Sequence, residues 1–385
     1  LSFSRRIPTD MTPTAWARAR AAYGAVPYDL TASNPTLCGF AYPHGLLDAL
    51  RDPAGLNYRP EPLGARSARE AVAADYAARG VIVDPERIVL TASSSESYGF
   101  LFKLLCDPGD AVLVPAPSYP LFEHLASLEG VRVAPFSLDP ENAWQPSAPG
   151  PAVAKSARAA ILVHPNNPTG SWVESGAADA MARCSGEAAI PLIVDEVFLD
   201  FPLASDARGE TFAARSAGLT FALGGLSKSR GLPQLKLSWI VVNGPNAEVA
   251  SALEALEFIG DSYLSVGTPI QNALPELLDR AAPLRDAILD RCRENLAVAR
   301  RLAANVPGVE LLPPSAGWSA VIRFPRVITE DALVLELLER HGVAVHPGYF
   351  FDFATEGYIV VSLLPESNAF KAGFKLVLDS IASHF

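Results

Sequence analysis

Cysteine is scarce: Cys38, Cys106, Cys184 and Cys292 are the only four in 385 residues, and they lie far apart. That spacing supplies neither a metal-ligand cluster nor a disulfide framework, so reduced, mostly buried thiols are expected. Histidine is equally sparse, six residues without a local zinc pattern. No apolar run extends unbroken for the ~18 residues that a membrane span requires. Leu1-Ser-Phe-Ser-Arg-Arg6 does not lead into a signal-type apolar stretch. A soluble, cytoplasmic protein without a membrane partner is the expectation. Positive charge is short as well: 31 Lys and Arg against 42 Asp and Glu leave a net charge of -11. Such a chain repels a polyanion on average, which argues against a nucleic-acid partner.

Apolar residues make up 49% of the chain and charged ones 19%, enough for an extensive core and too few charges for global disorder. The length has room for two or three domains. The 33 prolines and 27 glycines follow no collagen repeat, so they punctuate many connections between packed elements.

Residues 1–60 are rich in Pro, Gly and aromatics, with one helix expected around Thr14 to Tyr23. An Ala-rich helical pattern from Ser67 to Arg79 leads into a strand at Ile88-Val-Leu-Thr91, and Ser94 and Ser95 can cap the apolar helix running toward Cys106. Short apolar runs recur at 111–114, 131–136, 159–163, 191–194, 219–223 and 237–242. Strands of this kind separated by helical segments predict a mostly parallel sheet covered on both faces. The pattern gives an α/β core over 61–275, and the Ala-Pro-Ser-rich stretch 141–157 reads as a surface connection. One long helical stretch at 270–306 precedes four strand and two helix candidates. Residues 276–385 are therefore expected to form a connecting helix and a smaller α+β domain, joined in space by the 1–60 segment.

Chemistry becomes visible at Gly224-Gly-Leu-Ser-Lys-Ser-Arg-Gly231, directly after a strand candidate. Lys228, one of only six lysines, sits among small residues where the backbone can turn its amine toward a pocket. A lysine amine can form a Schiff base with an aldehyde cofactor and later move protons at the substrate carbon. Taken alone, Lys228 reads first as a surface charge.

Further segments decide between these readings. Pro165-Asn-Asn-Pro-Thr-Gly170, Asp195-Glu-Val197 and Ser227-Lys228 stand in this order, each at the end of a predicted strand. With them the chain resembles, over nearly its whole length, the aspartate-aminotransferase superfamily: fold-type I, class I and II pyridoxal-phosphate-dependent enzymes. The resemblance implies pyridoxal 5'-phosphate as cofactor, with Lys228 as its Schiff-base lysine. Asp195 resembles the carboxylate that pairs with the pyridine nitrogen, and Asn167 the asparagine that hydrogen-bonds the ring oxygen. Tyr119 in Pro117-Ser-Tyr-Pro120 resembles the aromatic residue stacked on the ring. Thr91-Ala-Ser-Ser-Ser-Glu-Ser97 resembles the phosphate loop, with Ser94 and Ser95 as phosphate contacts and Ser93 where glycine is common. Ser227, or the backbone near Gly225, is expected to complete that cup. Lys236 matches a position usually filled by a phosphate-binding arginine, whose planar fork it lacks. Tyr58 resembles the tyrosine that reaches the phosphate from the neighbouring subunit, which implies a homodimer, and Ser265 is a weaker contact across the same interface.

Two departures stand out. Phe198 occupies the place of a tyrosine that contacts the ring oxygen, leaving Asn167 as the main tuning group. Val360, in Tyr358-Ile-Val-Val-Ser362, matches the arginine that grips a substrate α-carboxylate, and valine offers neither charge nor hydrogen bond. Arg323 is a spatial substitute to consider. Asp261 can attract a cationic substrate group or simply face solvent, while His164 and His346 read as turn or pocket-shaping residues. The expected activity is transfer of an amino group from an amine or unusual amino acid to a 2-oxo acid or related carbonyl acceptor. A lyase, decarboxylase or racemase on the same scaffold stays open, as does a non-catalytic ligand-binding regulator.

Overall fold

A computed structural model describes residues 3–184, 189–204 and 209–384. The N-terminal segment contributes α1 (Ala15–Tyr23), where the Thr14 hydroxyl caps the first turn by accepting the Ala17 N–H at 3.1 Å, and the short strand β1 (Tyr28–Asp29).

The predicted apolar runs form the central sheet. Its strands are β2 (Ile88–Thr91), β3 (Ala111–Ala116), β4 (Arg132–Asp139), β5 (Gln145–Pro146), β6 (Ala157–Val163), β7 (Leu192–Asp195), β8 (Thr220–Gly225) and β9 (Ser238–Asn243). They lie in the order β2-β9-β8-β7-β6-β3-β4-β5. The pairs from β8 through β7, β6 and β3 to β4 are parallel, while β9 runs antiparallel to both β2 and β8 and β5 runs antiparallel to β4. The stretch 141–157 is thus more than a surface connection. Trp144 and Gln145 are buried, β5 extends the sheet edge, and α5 (Pro151–Ser156) leads into β6.

Strand periodicity explains why both faces are covered. In β9, Trp239 and Val241 enter one apolar cluster and Ile240 and Val242 another; in β7, Ile193 points away from Leu192 and Val194. One face carries α3 (Ser94–Leu105), α4 (Phe122–Leu128) and α8 (Asn246–Asp261). On the other, α2 (Arg66–Ala78) packs with α9 (Thr268–Arg280), and α6 (Ser175–Ala182) buries Ala178 and Met181. The one-turn helix α7 (Leu226–Ser229) follows β8.

The long stretch expected over 270–306 is two helices, α9 and α10 (Ala282–Ala303), broken at Ala281 ahead of Pro283. A proline near the start of α10 supplies no N–H to the preceding turn, so the chain restarts there. Beyond it, β10 (Glu310–Leu312), β11 (Ser319–Arg323), β13 (His346–Pro347) and β14 (Tyr358–Ser362) form an antiparallel sheet in the order β10-β11-β14-β13. Helices α11 (Glu330–His341) and α12 (Ser367–Ala382) cover it, and β12 (Val343–Ala344) pairs with β1, tying the N-terminal segment to this smaller α+β layer.

A buried ion network pins α7 to the helices beneath it. Arg230 pairs with Asp75 and lies 3.5 Å from Asp200, and its Nε–H donates to the Leu278 carbonyl at 2.8 Å. Arg79 joins the same two acids at 2.8 and 3.1 Å. Removing one partner of such a pair strands a buried charge, typically at about 3–5 kcal/mol. We expect Arg230→Met to lower the unfolding free energy measured by urea denaturation by an amount in that range; a change below about 0.5 kcal/mol would show that the network does not clamp α7.

Candidate active site

Parallel strands that share a direction bring their C-terminal ends to one edge, the place where open α/β sheets bind ligands. Strand register makes that edge specific. Val163, Asp195 and Leu223 stand side by side across β6, β7 and β8, and Thr91, Ser238 and Gly225 across β2, β9 and β8. A cavity of about 300 Å³ opens there, walled by Ser94, Tyr119, Asn167, Asp195, Ser227 and Lys228 from the large domain. From the other side come Thr31, Trp318, Ser319, His346, Phe350, Phe351, Val360 and Ser362.

Each side chain has a local reason for its place. Asp195 ends β7 and is buried; its Oδ1 accepts the Val197 N–H at 3.1 Å and its Oδ2 the Tyr98 hydroxyl at 2.9 Å. Burial raises its pKa above the usual carboxylate value, opposed by those two donors and by the charge of Lys228. Lys228 projects from α7 into the cavity, its Nζ 5.1 Å from the Trp318 ring centre and 5.7 Å from that of Phe198. Burial lowers its pKa against the pull of Asp195, enlarging the share of neutral amine. Gly225, just before α7, has no room for a side chain: a Cβ there would lie 2.3 Å from Ser238 Oγ.

Several supporting residues gain their partners only from the tertiary structure. Asn166 joins two loops: its Oδ1 accepts from Ser118 Oγ at 2.8 Å, and its Nδ2 donates to the Pro117 carbonyl at 3.1 Å and to Thr169 Oγ1 at 2.9 Å. Tyr119 and Asn167 are thereby held in register with each other. Glu196, beside Asp195, accepts from Thr211 Oγ1 and the Phe212 N–H at 2.5 Å each, and burial pushes its pKa up to about 7. His164 is such a support too: Nδ1 accepts the Val173 N–H at 2.9 Å, Nε2 faces the Glu210 carbonyl at 3.1 Å, and burial lowers its pKa to about 4. His346 does line the cavity, and burial lowers its pKa as well. Among the described residues, its Nδ1 and Trp318 Nε1 are buried without hydrogen-bond partners.

One expectation, capping of α3 by Ser94 and Ser95, needs correction. The cap of α3 is Ser93, whose Oγ accepts the Glu96 N–H at 3.1 Å, while Glu96 Oε2 returns to the Ala92 N–H at 2.6 Å. Ser94 and Ser95 are instead the first helical residues, where backbone N–H groups lack intrahelical acceptors. Ser94 lines the cavity and Ser95 does not. Lys236 is exposed in a left-handed turn (φ 51°) outside the wall. Tyr58, 75% exposed, borders a separate surface recess with Ser265, whose hydroxyl donates to Glu96 Oε2 at 2.6 Å. Asp261 is exposed at the end of α8. Arg323 cannot replace the missing arginine: its guanidinium binds Glu310 and Glu141 at the far end of β11. Val360 is buried in the wall, and among the described residues that wall holds no arginine.

The family model for aminotransferase class I and II matches residues 44–369. The chain belongs to this family. It is 26% identical over 353 residues to a glutamate-pyruvate aminotransferase, AlaA, of Haemophilus influenzae, covering 88% of this chain and 86% of the relative. It is also 28% identical over 317 residues to the arginine-pyruvate transaminase AruH of Pseudomonas aeruginosa, covering 81% and 79%. The fold matches an Escherichia coli aminotransferase with a TM-score of 0.82 at 24% identity, over 100% of this chain and 98% of that one. An alanine aminotransferase from Pyrococcus furiosus superposes at 0.83 and 21% identity, over 96% and 95%. This is the fold-type I architecture of pyridoxal-phosphate-dependent aminotransferases.

The residues present fit that cofactor. A buried carboxylate with open lone pairs, a lysine amine inside the cavity, an aromatic side chain and the N-terminus of α3 at Ser94 surround one space. Since Ser93 caps α3, Ser93→Ala should cost about 1 kcal/mol of stability in chemical denaturation. Ser95→Ala should stay within about 0.5 kcal/mol, and equal losses would return the cap to an unassigned residue.

Proposed function

We propose that this aminotransferase takes an amino group from an amine, or from an amino acid held in an unusual way. The acceptor is a 2-oxo acid or related carbonyl compound, and Lys228 is the covalent anchor for pyridoxal 5'-phosphate. The observation that carries the donor assignment is Val360: it is buried in the cavity wall where the family places a carboxylate-binding arginine. Around it the wall is aromatic and neutral, formed by Phe198, Trp318, Phe350, Phe351 and an imidazole whose pKa burial lowers. A bare carboxylate placed there loses its water without gaining a cation.

When bound, the cofactor supplies an electron sink beside the reacting carbon. Asp195 would hold its ring nitrogen in the charged form, because a cation against a buried carboxylate favours charge on both. Tyr119 would cover one ring face, and Asn167 would donate to the ring oxygen, unaided by Phe198. The free N–H groups at the start of α3, with the hydroxyls of Ser94 and Ser227, suit a phosphate. The amine of Lys228, shifted toward its neutral form by burial, takes and returns the proton at Nζ. In the proposed homodimer Tyr58 reaches the neighbouring phosphate site, and the exposure of Leu56 (90%) and Tyr58 (75%) leaves this segment free for a partner.

The same valine also suits decarboxylation, elimination or racemisation, since carboxylate orientation selects the bond that breaks. An absorbance screen of amines and amino acids, with mass identification of products, separates these. Stoichiometric amino transfer to a 2-oxo acid supports the proposal; release of carbon dioxide or ammonia without transfer rejects it. Lys228→Ala should lose at least about 10²–10⁴-fold in turnover while remaining folded, and normal turnover would contradict the assignment. Val360→Arg should raise kcat/KM for ordinary α-amino acids about tenfold or more, as expected for a charge-assisted bond to a carboxylate. Unchanged kinetics at full cofactor content would rule out this pocket orientation.

A further inference from the structure

Tyr98 lies in α3 within a cluster that is otherwise strongly apolar, including Phe100, Phe102, Phe122, Ile193 and Leu223. Its ring is 1% exposed and meets Phe122 edge-on at 5.4 Å. A hydroxyl in such a place is costly unless it is bonded. The Tyr98 O–H donates to Asp195 Oδ2 at 2.9 Å, although Tyr98 itself is not part of the cavity wall. Ser94, which does line the cavity, is four residues earlier and so on the same face of the helix.

We propose that Tyr98 is a positioning residue: from behind the wall its hydroxyl holds the Asp195 carboxylate in the orientation and charge state that receives the cofactor's ring nitrogen. This rests on the cofactor assignment above. One helix then serves both ends of the cofactor, its first turn at the phosphate and its second at the ring nitrogen. With Val197 N–H on one oxygen and Tyr98 O–H on the other, Asp195 cannot rotate without breaking both bonds. Four titratable groups face Asp195: Tyr98 from α3, Tyr119 from the segment before α4, Lys228 from α7 and Glu196 next to it in sequence. Of these, Tyr98 alone hydrogen-bonds it among the described residues. Its bond works against the rise that burial imposes on Asp195, so losing it raises that pKa further and the carboxylate is lost at a higher pH.

The test is equilibrium titration of apoprotein with pyridoxal phosphate across pH, comparing wild type with Tyr98→Phe, which keeps the ring. Affinity should fall about tenfold or more, the scale of one bond to a charged group, and the acid limb of affinity against pH should move upward. In an Asp195→Asn background, adding Tyr98→Phe should change affinity little, because the effect runs through Asp195. Should Tyr98→Phe fail to fold, 3-fluorotyrosine at this position keeps the shape and is a stronger donor, so the acid limb should move downward. Unchanged affinity and an unchanged acid limb, with at most a lower Tm, would overturn the proposal. So would equal losses in the Asp195 and Asp195→Asn backgrounds. Wild-type apoprotein that takes up no pyridoxal phosphate overturns the cofactor assignment itself, and this proposal with it.

Discussion

Backbone hydrogen bonding between β6, β7, β8 and β9 sets the positions of everything else in the site. Because a one-residue slip in a strand exchanges its two faces, the apolar clusters on either side of the sheet hold the register to a single choice. That register puts Asp195 between Val163 and Leu223, and Gly225 beside Ser238. Lys228 and Asp195 then share one cavity as a consequence of sheet geometry, with no direct bond needed to bring them together.

Around that frame the fold concentrates buried polar groups and satisfies them mostly through neighbours distant in sequence. Asp195 relies on Tyr98 and Val197, Glu196 on Thr211 and Phe212, and Asn166 on the loop that carries Tyr119. On the small-domain side Glu330, 2% exposed, accepts the N–H groups of Tyr349, Gly357 and Tyr358 at 3.0 Å, steadying the segment that presents Phe350 and Phe351. Such networks are stabilising only when complete. Their completeness here explains how a site with several charges stands inside an apolar core. Among the described residues that line the cavity, Trp318 Nε1 and His346 Nδ1 are the buried side-chain atoms left without partners.

The two departures from the family pattern have opposite structural consequences. Phe198 packs edge-on against Trp318 at 5.3 Å and replaces a polar contact with an apolar one next to Lys228. Val360 lies opposite Val321 and His346 in the small sheet, and among the described residues no arginine lines the cavity beside it. The side of the cavity lined by Asp195, Asn167 and Lys228 is therefore polar, while the side lined by Phe198, Trp318, Phe351 and Val360 is largely apolar.

Much of the fold was legible in the residues, since short apolar runs between helical segments have few arrangements other than a doubly covered parallel sheet. That Lys228, Asp195 and Asn167 line one cavity was legible because each stands at or just past the end of a strand within a distinctive local motif. Motif position was a poorer guide for Ser95 and Lys236, because adjacency in sequence does not say which way a side chain leaves the backbone. Capping by Ser93 was within reach, for Ser93 and Glu96 have the spacing of a capping box. By itself, then, the sequence determined the element types, the order of the motifs and the absence of arginine at position 360. Tertiary structure alone decided that Arg323 is engaged elsewhere, that Val360 faces the cavity, and that Tyr98 meets Asp195. Those facts depend on packing between residues far apart in the chain, and no local pattern encodes such distances.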